Sequence, residues 1–155
     1  MDPKDVFWSM YEEHCVHGRH HESLRATTTN LLLIVAAGVV AVISQGEKPL
    51  RLSNLPLAFL LILIGLFGAL FCAKYHERFN MHMERADRYR AALLEGTDLA
   101  EKIRKLAIEA DETTKRKHPK IFGLRLYKLW IGFHLLVALL GLTLTLIIVI
   151  FNWAR

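Results

Sequence analysis

Long uncharged stretches alternate with densely charged ones along this chain. No Asp, Glu, Lys or Arg occurs within Ala26–Gly46, Leu52–Ala73 or Leu129–Ala154, runs of 21, 22 and 26 residues. A helix of about 20 residues is long enough to cross the ~30 Å core of a bilayer. The pattern predicts an all-α membrane protein: three transmembrane helices with an extended cytoplasmic helical hairpin. The expected organisation is an N-terminal cytoplasmic amphipathic helix over 1–28, the first two transmembrane helices over 29–75, the cytoplasmic hairpin over 76–126 and the third transmembrane helix over 127–155.

Residues Pro3–Thr28 read as a helix leading into span one, Asn30–Ser44, with Pro3 suited to a first turn. Breakers in Gln45–Pro49 end it. Ser53 or Asn54 is placed to cap span two, with Pro56 in its first turn. No Pro or Gly lies between Gly68 and Gly96, so one helix is expected from Leu57 to Glu95, running past the apolar stretch. Gly96 ends it. Asp98 and Glu101 have the spacing of a capping box for a helix over Leu99–Lys117. That helix carries Leu99, Ile103, Leu106 and Ala110 at 4-3-4 spacing, and the preceding one carries Phe79, Met83, Ala86, Arg90 and Leu93. Two such seams joined by a short turn predict a helical hairpin. Both are weakly apolar and need support from the N-terminal helix or from neighbouring subunits. His118-Pro119 breaks the second arm, and Leu129–Phe151 forms span three. Tyr127 and Trp130 at one end and Trp153 at the other suit an aromatic belt.

Composition and charge sharpen this picture. The chain of 155 residues is 53% hydrophobic and 23% charged, with mean hydropathy +0.26. A soluble globular domain would interrupt such uncharged runs, and two cysteines make no disulfide scaffold. Cys15 and Cys72 read as free thiols. The first 25 residues are net −2, and Lys74–Lys128 holds 14 Lys and Arg against 9 Asp and Glu. Lys and Arg near span ends set orientation. Lys74, Arg78, Lys115, Arg116, Lys117, Lys120, Arg125 and Lys128 flank spans two and three on one side, which places that side and the N-terminus in the cytoplasm and the C-terminus outside. An acidic, His-rich start is unlike a cleavable signal peptide. The basic residues read as juxtamembrane charges that meet anionic lipid, with no nucleic-acid partner.

Several residues invite chemistry. Asn30, His134, Thr143 and Thr145 are the polar intramembrane candidates for a pore lining, with Thr27, Thr28 and Thr29 before span one; a threonine can equally bond its own helix backbone. Ala37 with Ala41, and Gly65 with Ala69, give small-xxx-small spacing for close helix packing. His14, His17 and His21 share one helix face, with His20 and Glu13 nearby. Imidazole and carboxylate are metal ligands, but no HExxH or cysteine-pair spacing accompanies them, so a solvated or interfacial histidine cluster is the plainer reading. Histidine is the side chain whose ordinary pKa lies nearest neutral pH, so a pH-sensor reading is also open. No nucleophile elbow, phosphate-binding loop or dinucleotide fingerprint is present, so neither an enzyme nor a cofactor is expected.

The strings Trp8-Ser9-Met10-Tyr11-Glu12-Glu13-His14 and His17-Gly18-Arg19-His20-His21-Glu22-Ser23-Leu24-Arg25, running into Thr27-Thr28-Thr29-Asn30, resemble a family of small bacterial inner-membrane proteins. Phe67-Gly68-Ala69-Leu70-Phe71 followed by Lys74-Tyr75-His76-Glu77-Arg78 carries the same likeness. These are the RipA-like octameric membrane proteins. The layout is also similar to that of the SLATT membrane effectors, for which a pore-forming role in nucleotide-triggered defence is predicted. The resemblance implies bacterial origin, homo-oligomerisation and an octamer, and supplies no catalytic residues. The expected function is a homo-oligomeric inner-membrane protein acting as a channel or pore-forming effector gated by its cytoplasmic helices. The alternative is a non-conducting scaffold or sensor that binds a cytoplasmic protein, or answers a nucleotide signal, through the hairpin. An intramembrane enzyme or metal transporter built on His134 and the N-terminal histidines ranks third.

Overall fold

A computed structural model describes residues 2–45 and 51–154. It contains four α-helices, α1 (Pro3–Ser44), α2 (Leu55–Leu94), α3 (Leu99–Lys117) and α4 (Leu126–Trp153), with a 3-10 turn at Leu52–Asn54 and no strand among the described residues. Three helices, α1, α2 and α4, are long and apolar enough to cross a membrane. The expected breakers Gly46 and Pro49, with Glu47 and Lys48, lie outside the described residues, as does Arg155.

The helix limits follow local chemistry. α1 runs unbroken from Pro3 to Ser44, so the amphipathic lead and span one are one helix. Asn54 precedes α2 and Pro56 falls in its first turn, where the missing N–H costs nothing. α2 continues to Leu94, as the absence of breakers predicts. Gly96 then adopts φ +74°, and the Thr97 N–H and hydroxyl both reach the Leu94 carbonyl, at 3.1 and 2.7 Å.

The start of α3 departs from expectation. Asp98 occupies the N-cap position with helical dihedrals and makes no side-chain cap bond. An N-cap side chain reaches the first-turn N–H groups from extended backbone, so the capping box does not form. Glu101 pairs instead with Lys105 at 3.3 Å.

The chain divides into two compact units, Met1–His21 with Glu77–Leu126, and Glu22–His76 with Tyr127–Arg155. In the first, Gly18 of α1 lies against Phe79 and Met83 of α2, and a Cβ at Gly18 would be 3.2 Å from the Met83 sulfur. The seam residues Phe79 and Met83 thus serve α1. No residue of α3 is buried, and Leu99, Ile103 and Leu106 are exposed. This corrects the expected pairing of two seams within a hairpin: a glycine on α1 offers α2 a closer approach than the leucine and isoleucine face of α3.

The second unit packs α1, α2 and α4. Its core joins Ala36, Ile43, Leu61 and Ile64, with Leu57, Val137 and Leu144 against them. Small residues bring α2 and α4 together. A Cβ at Gly65 would be 2.6 Å from the His134 carbonyl oxygen, and one at Gly141 would be 2.8 Å from the Ala58 carbonyl oxygen. Close backbone approach of this kind is what small residues permit between membrane helices.

Candidate functional site

Within the second unit a buried polar group links all three apolar helices. His134 of α4 is fully buried, and its Nε2 lies 3.5 Å from the Thr29 hydroxyl of α1. The Thr29 hydroxyl is in turn 3.4 Å from the Cys72 sulfur of α2. Gly68 makes the room: a methyl group there would overlap the imidazole ring. His134 Nδ1 is buried with no hydrogen-bond partner. If Nδ1 is the bare nitrogen, Nε2 donates to Thr29, whose own hydrogen is then free to point at the sulfur. An ionisable side chain in an apolar span must face protein or water, and here it faces protein.

The other intramembrane candidates separate from this trio. Thr143 donates to its own Leu139 carbonyl at 2.9 Å, and Thr145 to Gly141 at 2.8 Å. Both hydroxyls therefore satisfy themselves along α4. Asn30 is exposed on α1, and Thr28 is half-buried.

The two small-residue pairs also part company. Gly65 is buried against α4 and Ala69 is half-buried, whereas Ala37 and Ala41 are exposed. The alanine pair lines an open apolar groove of about 500 Å³ with Leu33, Val40, Phe133 and Leu140. Sequence spacing alone treats the pairs as equivalent; the identity of the facing helix distinguishes them.

In the first unit the histidines of α1 gather around a residue that their spacing did not reveal, His82 of α2. His14 Nδ1 and His82 Nδ1 are 2.9 Å apart, so one ring donates and the other accepts. The rings of His14, His17 and His21 each have centroids 5.2 Å from that of His82. His14 is buried and also stacks on Tyr89 at 5.6 Å. Burial, followed by the neighbouring His14, His21, His17 and Arg85, pushes His82 below the ordinary histidine value. Burial, with His20, Arg78 and His17, does the same to His21. Among the described residues, no group of three or more His, Cys, Asp or Glu is arranged to hold a metal ion. The His17 and His21 rings stack on His82 at interplanar angles of 27°, and the His14 ring is tilted to it by 43°.

Sequence reasoning missed Thr29 and Cys72 as the partners of His134, and His82 as the centre of the histidine cluster. The available signal for the first was a glycine, Gly68, in a span that needs room opposite a bulky polar ring. Nothing local marks His82, which lies 61 positions beyond His21. Compared with protein-family models, curated proteins and solved structures, the chain matches none.

Proposed function

We propose that the chain is a homo-oligomeric multi-pass protein of the bacterial inner membrane, with its N-terminus and residues 76–126 in the cytoplasm, closing into a ring whose cytoplasmic helices gate a pore. The observation that carries the reading is the uncovered face of α1. Asn30, Ile34, Ala37 and Ala41 follow one another at 4-3-4 spacing and are all exposed, Ile34 by 69%. An asparagine amide left against lipid is costly, and two alanines one turn apart allow close approach of another helix. A second copy packed on this face supplies both needs. Identical chains commonly close with cyclic symmetry, and the resemblance to octameric proteins makes eight the expected count.

The test is the mass of the full chain in mild detergent, followed by conductance in planar bilayers. A single oligomeric mass that falls in Ala37→Leu and Ala41→Leu is expected, together with discrete conductance of the wild type. A monomeric wild type overturns the assembly. An intact oligomer that never conducts overturns the pore and favours a scaffold or sensor. That second reading draws on α3, whose Leu99, Ile103 and Leu106 are exposed and offer an apolar face to a cytoplasmic partner.

A further inference from the structure

We propose that the histidines joining α1 to α2 in the first unit form an acid-sensitive latch, in which neutral rings hold the N-terminal part of α1 against residues 77–94 of α2 and their protonation releases it. The proposal does not depend on assembly or conduction.

Apolar packing in this unit is thin. Its buried residues, among those described, are His14, Gly18 and Ala86. Gly18 against Phe79 and Met83, and Phe7 against Tyr89 at 6.5 Å between centroids, add contacts between the two helices. Of the side chains of α1 described in this unit, His14 is the one buried against α2, so the histidine contacts are part of what holds the two helices together.

The His14–His82 bond sets the chemistry. It joins two Nδ1 atoms, so it needs one nitrogen with a hydrogen and one without. A single proton on the pair leaves that bond intact, because an imidazolium can donate to a neutral ring. The charge it brings is poorly received. His17 and His21 lie on the His82 ring, Arg85 and Arg78 add positive charge from α2, and His20 adds a further titratable group from α1. A second proton turns the bond into two N–H groups facing each other.

The carboxylates close by are mostly engaged. Glu13 faces His17 at 3.6 Å, Asp87 holds Arg90 at 2.8 Å and Glu84 holds Arg88 at 2.7 Å. Glu13 lies on α1 one turn before His17, with both side chains about half exposed. Tyr11 and Cys15, side by side on α1, and Tyr89, stacked on His14, also lie at this face.

The direction of the linkage follows. His82 and His21 titrate lower in the folded protein than the ordinary 6.5. The released state binds more protons in that window. The latch is fully present above pH 6.5 and is lost as pH falls from there through the lowered folded values.

Pulsed dipolar EPR on the full chain in nanodiscs tests this, with nitroxides at the exposed positions Ser9 and Ala91, Cys15 and Cys72 replaced by serine, and EDTA present throughout. The expected result is a short, narrow distance distribution at pH 8 that lengthens and broadens reversibly by pH 5, with a midpoint below 6.5. His82→Phe keeps a flat ring and removes the charge, so it should hold the short distance at both pH values. His14→Phe should do the same should His82→Phe fail to fold. A wild-type distribution that is the same at pH 8 and pH 5 overturns the latch. So does a wild-type response that persists in full in both variants.

Discussion

The imidazole of His134 occupies the space that a side chain at Gly68 would need, so α4 presents its one histidine to a glycine of α2. Gly68→Ala should therefore destabilise the protein, by about 1–3 kcal/mol as for other overpacked sites. Thermal unfolding in detergent reads this directly. The double variant with His134→Ala should recover part of the loss, because the ring that blocks the new methyl is gone. An unchanged melting temperature in Gly68→Ala would show that the helices can separate there without cost.

Gly141 and Gly38 are both glycines in apolar helices and should respond oppositely. Alanine at Gly141 would press on the α2 backbone near Ala58 and Ile62, whereas at Gly38 nothing lies within 4 Å. Gly141→Ala is expected to lower the melting temperature. Gly38→Ala should leave the fold within about 0.5 kcal/mol of wild type. Equal effects would mean that helix propensity, rather than close contact, governs both positions.

Arg25 is buried and bonded to Glu22 one turn earlier on α1. Removing the carboxylate strands a buried cation, whereas removing the cation frees a half-exposed carboxylate to meet water. Glu22→Gln should thus cost more than Arg25→Met. The expected loss for Glu22→Gln is about 1–3 kcal/mol. Chemical or thermal melts of the two variants should rank them in that order; the reverse ranking would show that the pair is not what keeps Arg25 in place.

Leu106 of α3 is 57% exposed. Leu106→Gln should change the stability of the purified protein, followed by thermal unfolding, by no more than an ordinary surface substitution does, about 0.5 kcal/mol or less. A large loss would reveal a packing partner for α3.

Orientation rests on the Lys and Arg excess beside spans two and three. An alkaline phosphatase fused after Arg155 should be active and one inserted at Gly96 inactive in bacterial cells. The opposite pattern would invert the topology.

The sequence by itself determined the helices, because their causes are local or periodic. Uncharged runs fix what can enter a membrane. The absence of Gly and Pro after Gly68 carries α2 to Leu94, and Gly96 stops it with a left-handed backbone. His118-Pro119 ends α3. The tertiary structure decided which face meets which. Gly65-Ala69 and Ala37-Ala41 have the same spacing, yet α4 approaches the first pair and leaves the second open. The Asp98–Glu101 spacing fits a capping box, yet the backbone angle at Asp98 sends Glu101 to Lys105. The candidate sites were legible only by half. His134 and the N-terminal histidines stood out by residue type and position, while Thr29, Cys72 and His82 became their partners through helix packing. Such contacts depend on where two distant stretches cross, and a one-dimensional pattern carries the period of each helix but not the rotation of one against another.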